Sequence, residues 1–275
     1  MMDIKAGTED HPGLYGIYLP AADAKACIIF VHGLGDHISR YDEMAMFFND
    51  HNYSFTGVDL PGHGRSPGKR GHIKDFGQYG DIISSVARFV REREGDIPLI
   101  LYGHSLGGNI ALNYLLDDNE FEKGIITSAW IKLAFEPPLF KVILASLAGK
   151  LFPSLQQPSG LNADDISGNM EVVDKYRSDP LVHPFISLRL YLSARSAAAK
   201  LLSSIDTLRT PVLMMHSKKD RIVSAEGSVI FAENNTKADL KIWDKGLHEL
   251  HNEVFRGEVL EYIIKWLEQK DGIQN

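Results

Sequence analysis

Along the chain, short apolar runs alternate with longer stretches in which apolar residues recur at helical spacing. The runs are Ala26–Val31, Ser54–Val58, Leu99–Tyr102, Gly124–Thr127, Val212–His216 and Leu240–Trp243. They are rich in β-branched side chains and bounded by glycine, proline or aspartate, so each reads as a buried strand. From Tyr79 onward, Ile82, Ile83, Val86, Phe89 and Val90 share one face of a helix, with Arg88, Arg91 and Glu92 off it. Phe255, Val259, Ile263, Trp266 and Leu267 repeat that pattern near the C-terminus. The alternation predicts an α/β fold, a mostly parallel sheet with helices on both faces. Ligands of such sheets bind beyond the carboxyl ends of the strands, which is where chemistry is expected.

The alternation breaks between about residues 131 and 202. Pro137, Pro138, Pro153, Pro158, Pro180 and Pro184 fall there, and no strand is expected. An apolar segment, Leu139–Phe152, precedes a polar loop and a helical pattern from Phe185 to Leu202. Residues 1–130 and 203–275 are therefore expected to form one core, and 131–202 a helical insertion.

Composition narrows the function. At 275 residues, 44% hydrophobic, the chain suits one large domain carrying an insertion. A lone cysteine, Cys27, excludes a disulfide framework and a Cys₄ or Cys₂His₂ zinc site. With 29 basic against 36 acidic residues, the net charge of −7 has the wrong sign for nucleic acid. No run is long enough to span a bilayer, and the first residues lack the features of a signal peptide. A cytoplasmic protein is expected.

The pentapeptide Gly-x-Ser-x-Gly occurs at Gly64–Gly68 and again at Gly103–Gly107. A nucleophile elbow needs a strand running into the serine, a sharp turn, and a helix whose first N–H joins an oxyanion hole. After Ser66 comes Pro67, which has no N–H, and no strand leads into it; that match reads as a loop. Ser105 follows the strand Leu99–Tyr102 and precedes an apolar helical stretch, so it is the candidate nucleophile.

A serine needs a general base, and the base needs a carboxylate to orient it. In the chain order expected of such a scaffold, Asp220 lies just past the strand Val212–His216, and His248 just past Leu240–Trp243. His251, placed at the start of the last helix, is the competing base, and Asp244 the competing acid. Asp220 could instead cap the helix starting near Ser224. His216 reads as a strand residue, His11, His51 and His72 as solvated, and His183 as a pocket-lining candidate. His248-Glu249-Leu250-His251 is one residue short of the zinc-protease spacing, so no metal is expected. The second oxyanion donor is expected after the strand ending at Val31, from the backbone N–H of Leu34, paired with that of Leu106. His32 and Gly33 are expected to shape that turn.

Five segments occur in order: HGLGDHISRYDEMA (32–45), DLPGHGRSPG (59–68), GHSLGG (103–108), HSKKDRIV (216–223) and KGLHELHNE (245–253). Together they resemble the monoacylglycerol lipase and lysophospholipase branch of the α/β-hydrolases. The resemblance implies Ser105 as nucleophile, Asp220 as acid, His248 as base, and Leu34 and Leu106 as oxyanion residues. It also implies that the insertion is a cap, or lid, shaping an acyl tunnel and able to touch lipid surfaces. The expected activity is cofactor-free ester hydrolysis through an acyl-enzyme, with a monoacylglycerol favoured. Lysophospholipids, small esters or short peptides are the alternative substrates, and a catalytically silent binding protein is the alternative from another class. The segment Leu139–Phe152 can cover the site, line the tunnel, dip into a membrane interface, or pack with both faces buried. Lys69 and Arg70 read as loop charges, with an anionic head group as the other reading.

Overall fold

The computed structural model describes residues 1–6, 8, 11–117, 120–135 and 137–269. Its centre is an eight-stranded sheet in the order β1-β2-β4-β3-β5-β6-β9-β10. The strands are β1 (Met2–Ala6), β2 (Leu14–Leu19), β3 (Ala26–Val31), β4 (Tyr53–Val58), β5 (Leu99–His104), β6 (Lys123–Thr127), β9 (Val212–Ser217) and β10 (Ala238–Trp243). From β4 to β10 every pairing is parallel. The antiparallel pairs β1–β2 and β2–β4 finish one edge, and β1 and β2 are strands that the apolar-run pattern omits.

Period-two alternation splits the central strands between two cores. Cys27, Ile29, Val31, Leu99, Leu101, Val212 and Met214 face α2 (Gln78–Glu94), α3 (Leu106–Asp117), α6 (Leu188–Ser203) and α7 (Ala225–Glu233). Ile28, Phe30, Ile100, Tyr102, Leu213 and Met215 face α1 (Asp42–Asp50) and α8 (Arg256–Leu267). A strand buried on both faces reads as continuous apolar sequence, which is why these strands were legible.

Between β6 and β9 the chain forms α4 (Leu139–Leu151), α5 (Met170–Ser178), α6 and a two-stranded antiparallel ribbon, β7 (Gln156–Pro158) with β8 (Phe185–Ser187). The ribbon corrects the expectation of no strand in this region, and it moves the start of the expected 185–202 helix to Leu188. Gln156-Gln157-Pro158 has no strand signal of its own; pairing with β8 makes it one. Ser187 caps α6 by accepting the Leu190 N–H at 3.2 Å. The insertion is tied to the core: His183 N–H donates to Gly35 O at 2.9 Å, and His37 pairs with Asp179 at 2.9 Å.

Candidate active site

Ser105 sits between β5 and α3 with φ of 56°, the left-handed conformation that an elbow imposes. Such a conformation costs about 1–3 kcal/mol and persists only where packing enforces it. Its neighbours explain the flanking glycines. A Cβ on Gly107 would meet Val31 O at 2.0 Å, and one on Gly103 would meet Gly107 O at 2.4 Å. Ser105 N–H donates to Thr127 O at 3.0 Å, and Ser105 O accepts from Trp130 N–H at 3.0 Å, so the turn is held from the β6 side. The first pentapeptide is a turn, as its proline required: Ser66 Oγ accepts the Tyr15 N–H at 3.0 Å.

Leu106 is the first residue of α3, so its N–H is among those a helix leaves without an internal acceptor. Leu34 lines the same cavity as Ser105, and a Cβ on Gly33 would lie 3.3 Å from the Ser105 Cβ. The loop after β3 thus lies against the serine. His32 Nε2 accepts the Leu60 N–H at 2.9 Å, which leaves its proton on Nδ1 to donate to Gly33 O at 2.8 Å. His32 shapes the turn.

Asp220 follows β9 and His248 follows β10. His248 Nδ1 donates to Asp220 Oδ2 at 2.7 Å, and both side chains are buried. Asp220 Oδ1 accepts the N–H groups of Ile222 and Val223 at 2.8 and 3.0 Å. Burial alone would raise the Asp220 pKa, but His248 and His216 outweigh it and hold the carboxyl far below its usual range. Burial likewise opposes charge on His248, yet the Asp220 carboxylate wins and raises its pKa. With Nδ1 committed, Nε2 is the basic nitrogen, and His248 shares a small space with Ser105, Gly33 and Leu34.

The competitors stand outside this pair. Asp244 is exposed and pairs with Lys218 at 2.6 Å. His251 lies in a 3₁₀ turn, Leu250–Asn252, before the last helix and not within it; burial drives its pKa down to about 4. Ser224, rather than Asp220, caps α7. His183 packs on His63 with ring centroids 4.8 Å apart, docking the insertion on the core. His72 is half-buried, its Nδ1 2.9 Å from Ser187 Oγ. Of the zinc-like tetrad, His248 is bound to Asp220 and Glu249 to Arg40.

Three supports had no role assigned from the sequence, although all but Ser128 fall in the segments that carry the family resemblance. His216, read as a strand residue, places Nε2 3.2 Å from Asp220 Oδ2, with its Nδ1 2.7 Å from Ser228 Oγ. Ser128 Oγ donates to His248 O at 2.7 Å. Arg40 donates to Asp36 Oδ1 at 3.0 Å and to both Glu249 oxygens at 2.9 and 2.8 Å, while Tyr41 O–H donates to Asp36 Oδ2 at 2.6 Å. This buried clasp joins the Leu34 loop to the His248 loop. Burial would raise both carboxyls, but Arg40 holds them below their usual range.

Over Ser105 opens a cavity of about 220 Å³ lined by Leu34, Trp130, Val142, Ala145, Ile186 and Tyr191, among others. Among the described residues, none that lines it is charged.

A serine on a strand–helix elbow, with an Asp–His pair from the ends of β9 and β10 of the same sheet, is the architecture of an α/β-hydrolase. Residues 22–254 match the family model described as serine aminopeptidase, S33, and the chain belongs to that family. It is 31% identical over 263 residues to an uncharacterized abhydrolase domain-containing protein of Dictyostelium discoideum, spanning 94% of this chain but only 28% of that protein. It is 27% identical to the monoacylglycerol lipase of Mycolicibacterium smegmatis, with 92% of both chains covered. The solved monoacylglycerol lipase of Paleococcus ferrophilus superposes with a TM-score of 0.85 at 29% identity, over 92% of this chain and 98% of that one.

Proposed function

We propose that the protein is a serine carboxylester hydrolase that releases a fatty acid from monoacylglycerols, with Ser105, Asp220 and His248 as its triad. Ser105 Oγ attacks the ester carbonyl as His248 Nε2 takes its proton, and the imidazolium is stabilised by Asp220. The N–H groups of Leu34 and Leu106 receive the oxyanion, each donor being worth on the order of 3 kcal/mol in such sites. His248 then protonates the departing glycerol, and water activated by the same nitrogen hydrolyses the acyl-enzyme. Residues 1–130 and 203–275 serve as the catalytic core and 131–202 as its cap.

One observation carries the substrate class: the cavity over Ser105 is small, about 220 Å³, and the described residues that line it are uncharged. Its volume falls below the ~300–1,000 Å³ usual for small-molecule sites, which favours one acyl chain over two. An aminopeptidase would need an anionic group for the substrate's ammonium. Among the described residues, the two carboxylates that share the small space beside Ser105 and His248, Asp36 and Glu249, are already held by Arg40.

The cap also supports a peripheral encounter with lipid. One side of α4 lines the cavity through Val142 and Ala145. The other exposes Phe140, Leu144, Leu147 and Leu151, the last at 76%, which sets aside the reading with both faces buried. Among the described residues no helix is long and apolar enough to cross a membrane. The exposed apolar face of α4 fits contact at a membrane interface.

The test is fatty-acid release from a monoacylglycerol chain-length series and matched lysophospholipids, by wild type and Ser105→Ala. Preferred turnover of monoacylglycerols that Ser105→Ala abolishes is expected. Cleavage of short nitrophenyl esters alone would overturn the lipid assignment, and retained activity in Ser105→Ala would overturn the triad.

A further inference from the structure

Beside the exposed face of α4 lies a group of cations that neither the fold nor the catalytic geometry uses. Lys69, Lys74, Lys150 and Arg189 are exposed, and none of the four makes an ion pair with another described residue. The backbone brings them to one border. Lys150 lies in the last turn of α4. Arg189 N–H donates to Pro153 O at 3.0 Å, Leu188 N–H to Leu155 O at 2.9 Å, and Ser187 N–H to Gly71 O at 2.9 Å. Gln156 donates to Arg70 O, closing the 69–74 loop against the ribbon. Phe152, Leu155 and Phe185 stand exposed along the same border. His72 has its pKa lowered by burial and then by Lys69, Arg189 and Lys74. The neighbouring acid, Asp75, is turned back to accept the Gly77 N–H at 2.7 Å. Arg70 donates to Gly64 O at 2.8 Å and is partly spent inside the loop.

A chain of net charge −7 is repelled as a whole by an anionic bilayer. An unpaired cationic border around an apolar face reverses that locally, at the height where head groups meet the acyl region. We propose that Lys69, Lys74, Lys150 and Arg189 form a rim that seats the α4 face on membranes containing anionic lipid, so that the protein selects such bilayers over neutral ones. The inference rests on the membrane contact of α4 put forward above and adds to it the kind of membrane. Each cation near such a surface is worth about five-fold in binding, so removing three costs on the order of a hundred-fold.

The experiment is sedimentation of the full chain with phosphatidylcholine vesicles, with and without about one third phosphatidylserine, at low and high salt. Wild type is compared with Lys69→Gln/Lys74→Gln/Arg189→Gln and with Leu144→Ser/Leu147→Ser, and a soluble short-chain ester reports that each variant is folded. Tighter binding to the serine-lipid vesicles is expected, weakened by salt and lost in the triple variant. The leucine variant is expected to weaken binding to both vesicle types. Equal binding to both vesicles, or an anionic preference retained by the triple variant, would overturn the rim. Absence of binding to either, by wild type that still cleaves the soluble ester, would overturn both the rim and the membrane contact while leaving the catalytic reading standing.

Discussion

Replacing Arg40 by methionine tests the buried clasp directly. The Arg40 side chain is 9% exposed, and its partners Asp36 and Glu249 are 5% and 4% exposed, so neither carboxylate can turn to water. The substitution removes three N–H···O contacts and a stacking contact over the Tyr176 ring at 4.8 Å. Breaking one buried pair costs about 3–5 kcal/mol, and here one cation serves two carboxylates, so the upper end applies. That is a large part of the roughly 5–15 kcal/mol that holds a typical domain folded. The pH dependence should also change sign. In wild type both carboxyls are depressed by Arg40, so their contribution is full above the ordinary carboxyl pKa and is lost as acid protonates them. Without the cation, burial raises both, the folded state holds extra protons, and stability falls as pH rises above the unfolded carboxyl pKa. Urea unfolding of wild type, Arg40→Met and Arg40→Met/Asp36→Asn/Glu249→Gln at about pH 5 and pH 8 measures this, and the triple variant should recover a substantial part of the loss. A loss under about 1 kcal/mol, or a triple variant no more stable than the single one, would refute the reasoning.

Three further outcomes follow from the geometry. Because Asp220 raises the His248 pKa above its ordinary 6.5, kcat/KM should fall as pH drops through that raised value; Asp220→Asn should shift the acid limb downward and reduce kcat by roughly 10⁴-fold, read from a pH–rate profile on a soluble ester. His216→Ala removes the partner of Ser228 Oγ and leaves Asp220 Oδ2 with His248 as its one remaining side-chain donor, so kcat should fall about ten-fold with KM unchanged and His216→Gln should restore part of it; a KM effect alone would count against a positioning role. Gly107→Ala should cost about 3 kcal/mol or prevent folding, because its Cβ would meet Val31 O at 2.0 Å, whereas Gly257→Ala in α8, with open space around it, should leave thermal unfolding unchanged or slightly raised.

Much of this molecule is written in local sequence. A strand buried on both faces must be apolar throughout, so Ala26–Val31 is legible residue for residue. An elbow must have small neighbours and a donor after its serine, so Gly103-His104-Ser105-Leu106-Gly107 separates from Gly64-Arg65-Ser66-Pro67-Gly68 by steric and hydrogen-bonding rules alone. The order of Asp220 and His248 after successive strands follows from a parallel sheet, which sends every strand-to-helix loop to one edge. What tertiary structure alone decided involves partners far apart in the chain. Arg40 reaches Glu249, His216 turns from an ordinary strand histidine into a second donor to Asp220, and Gln156-Gln157-Pro158 becomes a strand because Phe185–Ser187 lies beside it. The apolar segment Leu139–Phe152 shows the same division. Its hydrophobicity says only that water is disfavoured on every side, and it takes the packing of α6, the cavity and open solvent around α4 to say which side lines the cavity and which stays exposed.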